Sequence, residues 1–486
     1  MRLLPSLLLV AATLWVGLKP VATDAFLPPL YGGTLSAPLT DSPLQLQPAL
    51  AQRASERQLG VLLFDGLYDC SGPKPRPHLA RDLPKLTGRR LIWQLMLRPG
   101  VLRHDGNVLT AKDVANSLNR VFKGPHAFLF AQVERIRATG AHEIHFIMKR
   151  RGAEVFPALC APAAAVAIRK GKDLIGTGPF YLAEKAADRL TLKAHPQYFA
   201  GRAYLDELQF RVFDKQADEA ASYQVGASQI SRNGTNVFGG RPRHTAAVKE
   251  GRATDTVLLA FGKTRPFLAD TLFRRALQAA IDRRRLARLA GSGRTVVADG
   301  PLAAGFMKKR HRPGKTFDRA SANRLLARVA ARRPELQSAA AEGKVPLALT
   351  IDKSRPADRL LAGQIISDLD RIGITVTIDA VDAAVFQAKM RSGNYALAVD
   401  HYLPQLPRMK IVLAGAWARA AEPGLAAGCN SSRKCAVGRS RFAKDLPFLP
   451  LVNAAHRIHY DKRLGGMALN RLSLISFDNI FWRRTK

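Results

Sequence analysis

The chain is 486 residues long with 47% hydrophobic and 23% charged residues, a balance that excludes a disordered or collagen-like protein and predicts about two to four domains. Lys and Arg total 75 against 38 acidic residues, and the resulting net charge of +37 predicts attraction to anionic surfaces. Part of that charge is clustered in Arg283-Arg284-Arg285, Lys308-Lys309-Arg310 and Arg241-Pro242-Arg243. No basic region interleaves with aromatics and no zinc-finger or RNA-binding motif occurs, so a solvated basic surface is expected and a nucleic-acid partner is not.

Arg2 precedes an apolar run from Leu3 to Leu18, interrupted only by Pro5, Ser6, Thr13 and Gly17. That run is shorter than the ~20 residues a membrane span needs. Thr23 and Ala25 supply a small-residue exit before Phe26, which predicts a signal peptide over residues 1–25 and a periplasmic protein. An uncleaved membrane anchor is the alternative. No cysteine lies near this segment, which excludes a lipid-modified N-terminal cysteine, and no later stretch is long and apolar enough for a second span.

Cys70, Cys160, Cys429 and Cys435 suit an oxidising compartment. Cys429 and Cys435 enclose the short polar loop Asn430-Ser431-Ser432-Arg433-Lys434, so a local disulfide is expected there; the sequence leaves the pairing of Cys70 with Cys160 open.

Further along, Leu91–Leu97 reads as a strand closed by Pro99-Gly100. Thr110 and Asp113 form a capping box, and Val114, Leu118 and Val121 mark one face of the helix that follows. Glu143–Met148 alternates as a strand, with His145 on the face opposite Ile144 and Phe146. Gly176-Thr177-Gly178-Pro179-Phe180 predicts a turn into a strand; Pro179 stands where a phosphate-binding helix would begin. Leu190–Lys193 is the next strand. From Asp270, Phe273, Leu277, Ala280, Ile281 and Ala287 predict one helix with a basic outer face. Ala320–Ala330, Leu360–Leu369 and Phe386–Met390 follow as helices, and Leu347–Ile351, Ile374–Ile378 and Tyr395–Val399 as strands, an alternation that implies parallel pairing.

The chemistry-bearing motifs of enzymes do not occur. There is no G-x-S-x-G, H-E-x-x-H, Walker lysine loop or full dinucleotide fingerprint, and the histidines show no metal-like spacing. No catalytic residue, metal or cofactor is expected.

Five blocks taken in order resemble the family 5 extracellular solute-binding proteins of ABC transporters, the peptide, nickel and opine binders. They are Leu63-Phe64-Asp65-Gly66-Leu67-Tyr68; Leu97-Arg98-Pro99-Gly100-Val101 through Leu109-Thr110-Ala111-Lys112-Asp113-Val114; Gly176–Phe180 with Tyr198–Arg202 and Leu205–Leu208; Phe273–Leu277 with Ala280–Arg283; and Ile372–Val376 through Gly393-Asn394-Tyr395. The resemblance implies an α/β, type II-like periplasmic-binding-protein fold of two lobes with an extra inserted subdomain. Lobe 1 would comprise residues 26–52, 173–255 and 455–486, the inserted subdomain 53–172 and lobe 2 256–454. It implies hinge closure over a small solute, peptide-like or other, and delivery by a monomer to an ABC permease of the inner membrane.

The resemblance further places Asp400, His401, Tyr402 and Gln405 on the lobe 2 side of the cleft, with Tyr402 stacking on a ligand and His401 hydrogen-bonding it. Ordinary strand-end residues are the alternative reading. From lobe 1, the loop Ser36-Ala37-Pro38-Leu39-Thr40 is the matching position, with Ala37 and Thr40 as ligand-binding candidates. Two departures stand out. The aspartate that takes a peptide's amino group in peptide binders is missing from Leu403-Pro404-Gln405-Leu406-Pro407, and the stretch after Trp417 is short. A diverged, non-transport protein of this fold that associates electrostatically with anionic envelope surfaces is therefore a second reading, and a regulator that kept a solute-binding domain a third.

Overall fold

The computed structural model describes residues 29–39, 41–70, 74–232, 246–290, 295–306, 317–334, 336–337, 345–406, 412, 415 and 440–484. The expected signal segment, Thr40, the basic clusters at 241–243 and 308–310, the stretch after Trp417 and the Cys429–Cys435 loop lie outside the described residues.

Thr34–Pro38 opens a four-stranded sheet, pairing in parallel with Glu207–Arg211, beside which lie Arg189–Ala194 and Phe180–Lys185. The helix Ala54–Leu63 lays Leu59, Leu62 and Leu63 into one core with Leu35, Ala37, Leu192 and Phe210. The segment Ser36–Leu39, expected as a loop, is for the most part this first strand, because its alternate side chains bury against that helix and sheet.

A second four-stranded sheet runs in the order Lys85–Thr87, Ile92–Met96, Glu143–Met148, Val133–Ala138. Ile144, Phe146 and Met148 are buried on one face, while His145 turns to the other and meets Glu143 Oε1 at 2.6 Å, the placement its alternation predicts. The helix Ala111–Val121 covers the core face with Val114, Leu118 and Val121. Its start is closed as expected: Thr110 Oγ1 accepts from Asp113 N at 3.2 Å, and Asp113 Oδ2 accepts from Thr110 N at 3.0 Å. Thr110→Ala is expected to cost ~0.5–2 kcal/mol in urea unfolding, with Thr110→Ser close to neutral. Cys70 and Cys160, left open by the sequence, form a disulfide against this core.

The Gly176–Phe180 turn is set by close packing and not by a phosphate. A Cβ at Gly176 would lie 1.8 Å from the Leu63 carbonyl oxygen, so only glycine lets the turn close on the end of the helix Ala54–Leu63. Gly178 N then donates to Leu63 O at 3.1 Å.

The largest sheet has six strands in the order Val296–Val297, Phe448–Ala454, Asp255–Phe261, Leu397–Tyr402, Val345–Asp352, Ile374–Val381. The last three pair in parallel, as the strand–helix alternation implies, while Asp255–Phe261 is antiparallel to both neighbours. Val257 and Leu259 face one core with Leu349, Ile365 and Phe273; Leu258 and Ala260 face another with Phe386 and Tyr402. The single helix expected from Asp270 is two, Thr271–Ala280 and Arg283–Leu289. Ile281 leaves the helical conformation and Asp282 caps the second helix, accepting from Arg284 N and Arg285 N. Arg283 is correspondingly no surface charge: it is buried and donates to the Ala298 and Pro450 carbonyls.

Candidate functional site

The carboxyl ends of Val345–Asp352 and Leu397–Tyr402, the start of the helix Pro356–Asp370 and the paired residues Asp255 and Ala454 lie at one end of the six-stranded sheet. Open α/β sheets present their ligand sites at this edge. Here it faces the helix Ala54–Leu63 and the sheet it packs on.

Buried charges join the two sides. Arg53 Nη1 lies 2.6 Å from Asp352 Oδ2, Arg53 Nη2 donates to Ser354 Oγ at 2.6 Å, and Arg355 Nη2 reaches Asp41 Oδ2 at 3.3 Å. Asp41 also accepts from the Ser55 hydroxyl and backbone N–H. Burial pushes the Asp41 carboxyl up, but Arg355, Arg53 and Ser55 together hold it below the ordinary carboxylate value. Burial likewise disfavours the Arg355 cation, yet Asp41, Asp358, Asp352 and Asp400 hold it above the usual arginine value.

His401 is the hub on the sheet side. Its Nδ1 lies 2.9 Å from Asp255 Oδ2 and its Nε2 2.9 Å from Asp358 Oδ1. Burial opposes the imidazolium, but the two carboxylates push His401 up to about 10, while burial and Arg232 pull neighbouring His456 down to about 4. Both histidines border a cavity of 170 Å³ with Asp41, Arg355 and Asp358.

The loop after Tyr402 crosses to the other side. Arg57 Nη2 donates to Pro404 O at 2.7 Å, Gln405 Oε1 accepts from Ala163 N at 3.0 Å, and Leu406 enters the core of the Ile92–Met96 sheet. Two cavities flank this crossing, of 450 and 270 Å³, and Ala51, Arg57 and Gln405 border both. The larger is floored by Asp65, which accepts from Tyr198 OH and Thr177 Oγ1 and meets His78 Nε2, all within 2.9 Å. Burial opposes the charge on His78, but the bond to Asp65 holds it above its ordinary value.

The residues expected at the site are thus divided. Gln405 borders both flanking cavities, Tyr402 borders the smaller and donates to Val412 O at 2.9 Å, and His401 borders the 170 Å³ cavity. Asp400 is buried beneath the edge, its Oδ1 accepting from His401 N, and Ala37 is buried in the core under the helix Ala54–Leu63. Neither lines these three cavities. Arg53, Arg57, Asp352 and Arg355 went unread in the sequence. The available signal was two arginines four residues apart at the start of the Leu-rich stretch 53–63, a spacing that puts both on one helix face.

Residues 74–420 match the family profile described as bacterial extracellular solute-binding proteins, family 5 middle. The chain is 29% identical over 262 residues to the uncharacterized protein YhjP of Bacillus subtilis, covering 53% of this chain and 43% of that protein. It is 24% identical over 273 residues to the oligopeptide-binding protein AppA of the same organism, covering 51% and 50%. The chain therefore spans about half the length of the curated relatives it matches. The fold matches that of AppA in complex with a nonapeptide at a TM-score of 0.78 and 17% identity, over 94% of this chain and 100% of that one. AgaA of A. tumefaciens R10 in complex with agropinic acid matches at 0.77 and 18%, over 93% and 99%. The expected two-lobed periplasmic-binding-protein architecture is thereby borne out.

Proposed function

This chain belongs to the bacterial extracellular solute-binding proteins of family 5, and on that premise we propose that it captures a small solute between two lobes and delivers it to an ABC permease. The observation that carries this reading is the pair of cavities under the Leu403–Leu406 crossing, each bordered by residues from both sides of the cleft. Lobe 1 is assigned to residues 26–52, 173–255 and 455–486, the inserted subdomain to 53–172, whose first helix Ala54–Leu63 packs into the core of lobe 1, and lobe 2 to 256–454, with the cleft at the buried charges between them. The protein acts as an exported periplasmic monomer, and no described helix is long and apolar enough to cross a membrane. His401, Tyr402 and Gln405 serve the cleft from lobe 2 and Asp400 supports them from below, while Ala37 and Thr40 remain the lobe 1 ligand-binding candidates of the sequence. A ligand draws the lobes together only through contacts it makes better in the closed state.

Native mass spectrometry of the purified protein, before and after mild unfolding, tests this. One solute per chain, released on unfolding, is expected. Absence of any solute, together with no thermal shift across peptide, opine, sugar and metal-chelate panels, would contradict it.

The net charge of +37 favours a second role in which the same fold adheres to anionic envelope surfaces. Vesicles of anionic lipid should then co-sediment the protein at low salt and release it at high salt; retention that ignores salt counts against it.

A further inference from the structure

Arg57 differs from the other buried arginines at the cleft. Arg53 pairs with Asp352, and Arg355 with Asp41. Arg57 is 5% exposed, and among the described residues it forms no ion pair; its one side-chain hydrogen bond runs to the Pro404 carbonyl, and its Nε is buried without a partner. The adjacent carboxylate cannot serve it, because Glu56 already accepts four backbone N–H groups, from Leu44, Gln45, Gln52 and Arg53. Burial pulls Arg57 down to about 10, so it stays a cation at neutral pH. Tyr402 and Asp255 offset part of that burial without an ion pair, and a buried charge without a directly paired counter-charge is costly, by several kcal/mol per ion on general grounds.

The 270 Å³ cavity beside Arg57 has a matching composition. No aspartate or glutamate borders it among the described residues, while Arg391, from the helix Ala383–Ser392 on the opposite side of the cleft, supplies a second cation. Gln52, His126 and Gln387 add neutral polar groups. Two guanidinium groups, one from each side, and no acid among the described residues describe a site for negative charge.

We propose that this cavity takes an organic anion, a solute whose carboxylate or phosphate group is held by Arg57 and completed by Arg391 on closure. The inference rests on the solute-binding reading above. Guanidinium forks match both acidic groups. A neutral isostere leaves Arg57 unpaired and is rejected, and a free ammonium group meets two cations.

The test passes a small-molecule cell extract over immobilised wild-type protein, Arg57→Gln and Arg57→Lys, and identifies what denaturation releases by mass spectrometry in both ion modes. The wild type should release a solute carrying a carboxylate or phosphate, which the spectra tell apart. Arg57→Gln should release at least ten-fold less, and Arg57→Lys an intermediate amount. The unliganded Arg57→Gln protein should melt no lower than the wild type, since it loses an unpaired buried charge. A neutral or cationic solute, equal retention by Arg57→Gln, or a lowered melting temperature of that variant overturns the inference and leaves the solute-binding reading standing. Release of nothing from the wild type overturns that reading, and the inference with it.

Discussion

Replacing Arg53 with methionine is expected to destabilise the protein by about 3–5 kcal/mol in urea unfolding, because it strands buried carboxylates. Arg53 and Asp352 have side chains 1% and 0% exposed, and their 2.6 Å contact joins the start of one helix to the end of a strand 299 residues away. Arg53 Nε also lies 3.7 Å from Asp41 Oδ2. Arg355 softens the loss, standing 3.3 Å from Asp41 and 3.9 Å from Asp352. The double replacement Arg53→Met with Asp352→Leu should recover most of the loss, since an apolar pair of similar size carries no desolvation penalty. If the single and double variants are equally unstable, the ion pair is not what joins the two sides.

His401 gives the second large effect, and it depends on pH. Its folded pKa, about 10, stands above the usual histidine value of 6.5. Its contribution is therefore fully present below pH ~6.5 and is lost as pH rises toward 10. On the order of a few kcal/mol of stability should disappear across that window. His401→Gln should lower stability at neutral pH by about 3 kcal/mol, by leaving Asp255 and Asp358 without their shared cation, and should flatten the decline above pH 7. Its ring protons in the wild type should still report an imidazolium at pH 8. A histidine titrating near 6.5 there would refute the assignment. Asp255 acts in the opposite direction: burial raises it, the charge of His401 and its hydrogen bond outweigh that and lower it, and the net is a depressed carboxyl whose contribution is lost only in acid.

Much of the architecture was legible because it is local. The Thr110–Asp113 box lies within one turn, and the alternation of Glu143–Met148 lies within one strand. The break at Ile281–Asp282 was equally local, and the capping aspartate was its signal, but the apolar spacing from Phe273 to Ala287 ran across it. The cleft was legible only in part. Only the family resemblance pointed to Tyr402, which ends the strand Leu397–Tyr402, and to Gln405 just beyond it, whereas Arg57 meets Pro404 across 347 residues and Arg355 meets Asp41 across 314. No periodicity encodes such pairs. The meaning of Gly176 depended in the same way on a helix end that a sequence does not position.

The missing aspartate in Leu403–Leu406 also takes on a different sense. That segment spans the cleft through Pro404, Gln405 and Leu406, and a cation, Arg57, stands against it. Solute closure between two lobes is best tested by small-angle X-ray scattering of the protein cleared of solute by unfolding and refolding, with and without the solute released from it. The radius of gyration should fall when the solute is returned at saturation and stay high for Arg57→Gln under the same conditions. An unchanged radius for the wild type, with the solute shown to be bound, would contradict closure of the cleft around it.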